Sequence, residues 1–181
     1  MKIMTRTDQE IIEKMQLNPN VGMKLLMDTY QERLYWHIRR LVISHDDAQD
    51  LLQDTFLKVY RSFSSFKGNS SLFSWLYRVA TNVVLTTLRS KKMECSSLDD
   101  VKSLEADEYF EFKDEEAVAL MKAIHALPPK QQAVFNMRYY DEMSFKDIAE
   151  ANDTTESSAK ANYHFAKTKI IEQMKQLMIT K

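Results

Sequence analysis

Glycine occurs only twice in the 181 residues, at Gly22 and Gly68, and proline three times, at Pro19, Pro128 and Pro129. So few breakers, beside many Leu, Met, Lys, Glu and Gln, favour helix along the whole chain. Scarce glycine also disfavours loops that cradle a nucleotide, and neither a P-loop nor a dinucleotide fingerprint is present. The single cysteine, Cys95, excludes an internal disulfide, and cysteine content gives no sign of an oxidising compartment. No apolar run approaches the roughly 20 residues of a membrane helix. The opening Met1-Lys2-Ile3-Met4-Thr5-Arg6 lacks the apolar core of a signal peptide. These absences lead us to expect a cytoplasmic protein with no direct membrane insertion. No cofactor is expected.

Net charge is −1, but the charges are unevenly placed. Residues 1–93 carry 14 Lys/Arg against 9 Asp/Glu, residues 94–116 carry 2 against 10, and residues 117–181 carry 9 against 7. The acidic middle lacks sustained helical periodicity and is dense in like charge, the pattern of a flexible linker. The chain therefore reads as all-α, with two helical modules, 1–93 and 117–181, joined by the acidic segment 94–116.

Four helices are expected in the first module. Thr7 with Glu10 forms a capping box for a helix reaching Leu17. Asn18-Pro19-Asn20 ends it, and Asn20 is placed to cap a second helix reaching Ile43, with Leu26, Tyr30, Leu34, Ile38 and Leu41 on one stripe. A third starts at Ser44–Asp47 and carries Leu52, Phe56, Val59 and Phe63 inward. A fourth runs from about Ser71 to Ser90 with Leu72, Leu76, Val79 and Val83 inward. In the second module, helices are expected over 115–126, 130–140 and 144–151, with a last one from Thr155 or Glu156. The last two, joined by Asn152-Asp153-Thr154-Thr155, have helix-turn-helix spacing. Ala159, Tyr163, Ala166 and Ile170 form the inward stripe of the final helix. Ser157, Ser158, Lys160, Ala161, His164 and Lys167 face away, where they can reach phosphates or base edges of a major groove.

A second nucleic-acid signal lies in the first module. From Thr55 to Met93 there is no acidic residue, while Lys58, Arg61, Lys67, Arg78, Arg89, Lys91 and Lys92 are interleaved with Phe56, Tyr60, Phe63, Phe66, Phe73, Trp75 and Tyr77. Cations hold a phosphate backbone, and aromatic faces stack on unpaired bases at about 1–3 kcal/mol each, a combination suited to single-stranded DNA. Phe56 and Phe63 read as core, whereas Trp75 and Tyr77 fit either role. Trp75, Arg78, Asn82, Thr86 and Arg89 share one stripe by helical steps. Asp46, Asp47, Asp50 and Asp54 cluster at a helix start. Capping and dipole compensation explain Asp46 and Asp47 better than a metal site does. Asp50, Gln53 and Asp54 are left as a protein-docking face.

The run Asp46-Asp47-Ala48-Gln49-Asp50-Leu51-Leu52-Gln53-Asp54-Thr55-Phe56-Leu57-Lys58-Val59-Tyr60-Arg61 resembles the polymerase-docking helix of extracytoplasmic function (ECF) sigma factors, a subfamily of the sigma-70 type. Phe63, then Phe66-Lys67-Gly68-Asn69-Ser70-Ser71 and Trp75-Leu76-Tyr77-Arg78-Val79-Ala80-Thr81-Asn82, resemble the segment that melts and reads the −10 element. Leu127-Pro128, Arg138-Tyr139-Tyr140 and Ser144-Phe145-Lys146-Asp147-Ile148-Ala149-Glu150 resemble the −35-binding module. The resemblance implies a non-enzymatic transcription initiation factor made of sigma region 2 and region 4 modules. Its implied partners are core RNA polymerase (largest and second-largest subunits), single- and double-stranded promoter DNA, and an anti-sigma factor. It implies that Asp50, Gln53 and Asp54 dock on polymerase. Phe66, Lys67, Gly68, Asn69, Ser70, Trp75, Arg78, Asn82 and Arg89 would serve the −10 element, and Ser157, Ser158, Lys160, Ala161, His164 and Lys167 the −35 element. The family often has Arg where this chain has Asn162 and Phe165, and Gly where it has Glu142 and Ser157, implying a weaker phosphate grip on −35 DNA. Phe165 is left to face either DNA or core. Two other readings remain: a stand-alone helix-turn-helix regulator, and an enzyme acting on nucleic acid through Asp46–Asp54.

Overall fold

The computed structural model describes residues 6–42, 44–94 and 115–179. Most of the acidic segment 94–116, with Cys95, lies outside the described residues. Those described form helices and turns, with no strand: α1 (Arg6–Leu17), α2 (Pro19–Arg39), α3 (His45–Ser62), a 3-10 turn (Phe63–Ser65), α4 (Leu72–Glu94), α5 (Glu115–His125), α6 (Pro129–Tyr139), α7 (Phe145–Ala151) and α8 (Glu156–Ile179).

Capping residues set most boundaries. Asn18, not Asn20, caps α2, accepting from the Val21 N–H with Pro19 in the first helical turn. Proline has no N–H to leave unsatisfied there, and its fixed φ suits a helix start, so α2 begins where a break was expected. Asn20 instead accepts from the Tyr60 hydroxyl at 3.1 Å. Helix α1 already includes Arg6, so Thr7 lies inside the helix. Helix α2 ends at Arg39, short of Ile43, and the buried Arg39 guanidinium donates to the Val42 carbonyl beyond the helix at 3.0 Å. Ser44, Ser71, Ser144 and Thr155 each accept from the backbone N–H three residues on, opening α3, α4, α7 and α8.

Gly22 fixes how close α1 lies to α2. A Cβ there would sit 2.3 Å from the backbone nitrogen of Met15. Ile11 and Met15 of α1 are buried, as are Leu26, Tyr30, Leu34 and Ile38 of α2. The expected core faces of α3 and α4 are buried too: Leu52, Phe56 and Val59 with Phe63 beyond, and Leu72, Leu76, Val79 and Val83. Helix α4 buries more than that stripe. Ser74, Trp75, Tyr77, Ala80, Thr81 and Val84 are also buried, because α4 packs on α2 and α3 and also meets α6 and α7 of the second module. A helix enclosed on several sides loses the one-faced pattern of a surface helix.

The second module centres on α8. Ala159, Ala166 and Ile170 are buried, with Tyr163 half-buried against Phe135 and Phe145. Asn152 and Asp153 make the turn between α7 and α8. Asp153 takes a left-handed φ of 51°, and the next amide, Thr154 N–H, donates to Ala149 O at 2.9 Å. Glu142, before α7, takes φ 53°. That is the conformation for which glycine is the low-cost residue, so the departure from glycine noted at this position has a backbone cost.

Candidate nucleic-acid interface

The acid-free stretch spans the end of α3, the loop that follows and α4. Phe63, Phe66 and Trp75 form a ring cluster with centroid separations of 5.9, 5.9 and 5.3 Å, which pins the loop after α3 to the first turn of α4. Gly68 turns the loop with φ 71°, and a side chain there would meet nothing within 4 Å. Lys67, Gly68 and Asn69 are exposed at the loop tip, and Phe66 and Ser70 are half-buried at its base. Ser65, Phe66, Lys67, Asn69, Ser70, Trp75 and Arg78 line a cavity of about 340 Å³, whose other side is Ala149, Glu150, Asp153 and Thr154 of the second module. The structure thus brings most of the expected −10 residues together.

Along α4 the stripe continues outward. Arg78 is half-buried at the cavity, while Asn82, Thr86 and Arg89 are exposed. Trp75 differs from the rest at 5 % exposure, so its ring is a wall of the cavity and not a free stacking platform. Tyr77, open to either role in sequence, is fully buried against His37 and Phe73. Burial and the nearby Asp141 charge raise its phenol above the ordinary range.

On α3, Asp50, Gln53 and Asp54 are exposed within little more than one turn and make a polar face opposite the core stripe. Asp46 and Asp47 occupy the first turn of α3, where negative charge meets the helix dipole, and Asp47 pairs with Lys91 at 2.9 Å. Among the described residues no group of three or more His, Cys, Asp or Glu could hold a metal ion.

On α8, Ser157, Lys160, Ala161, His164 and Lys167 are exposed, and Ser158 is half-buried under the Thr155 cap. The Lys160 ammonium lies 2.7 Å from Glu156 and 5.9 Å from the Phe145 ring centroid. Its charge is therefore partly engaged within the module. Phe165 is 57 % exposed and lies edge-on to His164, so it faces outward and not into the core.

Sequence periodicity gave no signal for the seam between the modules. The Arg40 carbonyl accepts from Gln132 Nε2 at 3.0 Å and Asn136 Nδ2 at 3.2 Å. The Arg40 guanidinium pairs with Asp141 at 2.9 Å, and the other Asp141 oxygen lies 3.5 Å from Nδ1 of the buried His37. His37 Nε2 faces Thr81 Oγ1 at 2.9 Å. Gln132 also lies 3.0 Å from His125 Nδ1, and burial, with the Arg39 charge, holds His125 below its ordinary pKa. At the far end of the seam, the Ser74 hydroxyl donates to Asp147 at 3.4 Å. Those that cross between the modules pair residues far apart in sequence, which no local pattern encodes.

Comparison with known proteins agrees with this arrangement. The family model for sigma-70 region 2 matches residues 26–93, and that for sigma-70 region 4 matches residues 117–170. The ECF RNA polymerase sigma-E factor of Haemophilus influenzae is 27 % identical over 186 residues, covering 95 % of this chain and 97 % of the relative. The RNA polymerase sigma-H factor of Pseudomonas aeruginosa is 28 % identical over 155 residues, covering 78 % of this chain and 80 % of the relative. Among solved structures, CnrH in complex with the cytosolic domain of CnrY shares the fold with a TM-score of 0.71 at 14 % identity, covering 94 % of this chain and 98 % of that one. The sigma factor RpoE from Bartonella quintana, in complex with the anti-sigma factor NepR, gives 0.66 at 22 % identity, covering 84 % and 96 %. With both sigma-70 regions matched in order and relatives aligned along nearly the whole length, the chain belongs to the sigma-70 family of RNA polymerase sigma factors, in its ECF subfamily.

Proposed function

We propose that the two modules divide promoter recognition between them. Module 1–93 docks core polymerase and melts and reads the −10 element. Module 117–181 reads the −35 element as duplex, and 94–116 links them. One observation carries this reading: an exposed, acid-free loop and helix stripe stand beside a lined cavity in the same chain as a helix-turn-helix. On its first-module side the cavity sets Lys67 and Arg78 beside Phe66 and Trp75, groups that suit an unstacked base and its flanking phosphates, which a duplex reader does not need.

In this reading Lys67, Arg78 and Arg89 hold phosphates, and the loop from Phe66 to Ser70 pockets the base. Asn82, exposed one turn beyond Arg78, contacts a neighbouring base edge. Asp50, Gln53 and Asp54 dock on basic helices of the polymerase largest subunit, and the second-largest subunit completes the docking surface. Ser157, Ser158, Lys160, Ala161, His164 and Lys167 enter the −35 major groove. With Lys160 tied to Glu156, few free cations remain on that face, so its salt dependence is shallow. An anti-sigma factor is a further partner, as it is for the RpoE neighbour. The protein works where polymerase and DNA are, in the cytoplasm, and acts as an initiation factor, not an enzyme.

The test is promoter opening by the reconstituted holoenzyme, followed with a fluorescent base in the −10 strand. Asn82→Ala lowers opening and leaves core binding intact; weakened core binding contradicts the role given to Asn82. Tight duplex binding by the chain without core polymerase would instead favour a stand-alone regulator.

A further inference from the structure

The outward face of α8 is less polar than its residue names suggest, because three polar side chains on it bond within their own helix. The Lys160 ammonium lies 2.7 Å from Glu156. Asn162 Nδ2 donates to the Ser158 carbonyl at 3.0 Å, and the Thr168 hydroxyl donates to the His164 carbonyl at 3.1 Å.

Beside these groups stands an apolar step. Ala161 and Phe165 are both exposed, and their spacing of four residues makes them neighbours on the helix surface. Phe165 is 57 % exposed, whereas Phe135 in the core of the same module is 4 % exposed. Its ring neighbour among the described residues is His164, 6.2 Å away between centroids at an interplanar angle of 61°. By helical spacing, Lys160 and Lys167 run along one edge of this face, and Ala161 and Phe165 lie toward the other. Cations that seek phosphates thus keep to one side of the helix, and a ring without a hydrogen-bonding group stands on the other.

Base pairs differ in the donors and acceptors they show in a major groove, and thymine alone adds an apolar group there, its C5 methyl. A phenyl ring over a purine or cytosine edge leaves that edge's polar atoms without a partner. Over the thymine methyl it buries carbon against carbon. We propose that Phe165, with Ala161 beside it, selects a thymine in the −35 element by contact with its methyl group. This rests on the −35 reading above and names the base that one residue favours. The contact is worth about fourfold in affinity, the gain from burying one methyl group.

Duplexes randomised through the −10 and −35 regions are selected with reconstituted holoenzyme carrying the parent chain, Phe165→Ala or Phe165→Arg. The parent enriches thymine at one −35 position. Phe165→Ala loses that preference, and Phe165→Arg shifts it to guanine, whose O6 and N7 accept from a guanidinium. Deoxyuridine in place of that thymine deletes the methyl group alone. It weakens binding about fourfold for the parent and leaves the Phe165→Ala holoenzyme unchanged. A −35 site selected by the parent that tolerates deoxyuridine at every thymine overturns the methyl contact and leaves the −35 reading standing. An equal loss in the parent and Phe165→Ala overturns the role of Phe165. Weaker capture of core polymerase by Phe165→Ala, with the selected site unchanged, places the ring on polymerase and overturns the proposal. Binding indifferent to the whole −35 sequence overturns the −35 reading and the methyl contact together.

Discussion

Replacing Gly22 by alanine tests the packing of the first module at one atom. The added Cβ would lie 2.3 Å from Met15 N, 2.5 Å from Met15 Cα and 2.7 Å from the Lys14 carbonyl carbon. All three are backbone atoms, so no rotamer change relieves the overlap. Carbon atoms pack best about 3.5–4.0 Å apart, so α1 must retreat by roughly 1 Å or leave. Overpacking of this kind costs about 1–3 kcal/mol. Complete release of α1 exposes Ile11 and Met15, now 0 % and 4 % exposed, and breaks the Tyr30 hydroxyl bond to Asp8. Losing those two buried side chains costs roughly 1.5–3 kcal/mol each, an upper bound because the freed helix regains chain entropy. Alanine recovers about 1 kcal/mol through helix propensity. The net expectation is destabilisation of about 2 kcal/mol, with hydrogen exchange accelerated first at Ile11 and Met15. Urea unfolding followed by circular dichroism gives the first quantity. A variant as stable as the parent refutes the close-approach argument. Gly68→Ala is the contrast: it has space, and its φ of 71° costs only about 1 kcal/mol of backbone strain.

Three further expectations follow from other parts of the fold. Glu142→Gly removes the strain of a side chain at φ 53° and raises stability by about 0.5–1 kcal/mol after the entropic cost of glycine; a lowered melting temperature contradicts it. Reversing charge with Asp50→Lys and Asp54→Lys weakens capture of core polymerase in a pull-down while the melting temperature stays within a few degrees; unchanged capture moves docking to another face. His125 is held below its ordinary value by burial and by Arg39, so the unfolded chain binds its proton more readily than the fold does. Its stabilising contribution is complete above about pH 6.5 and is lost as pH falls toward the folded value. The urea midpoint therefore drops more for the parent than for His125→Gln between about pH 7.5 and 5.5, and parallel curves exclude His125 as the cause.

Local chemistry made the helices legible. Ser44, Ser144 and Thr155 were readable as starts because their hydroxyls accept the orphan N–H three residues on. The α3 and α8 core stripes followed from periodicity, because each of those helices buries one face. Asn18-Pro19 misled for a local reason, since a proline that ends one helix also begins the next. Trp75 and Tyr77 could not be assigned because α4 has neighbours on more than one side, and helical spacing names a face without saying what covers it. The −10 residues were legible as a composition, cations and aromatics without acids. The acids that line the same cavity, Glu150 and Asp153, lie some seventy or more residues later in the chain and belong to another module's helix and turn. Only the fold brings them there.

The Arg40 peptide carbonyl is the point where Gln132 and Asn136 converge. An acceptor on the main chain is present whatever side chain stands at position 40. Substituting Arg40 removes the ion pair to Asp141 but leaves both amide bonds available. The amide part of the grip between the modules is therefore set from one side: changes at Gln132 or Asn136 grade it, whereas drift at position 40 removes the ion pair to Asp141.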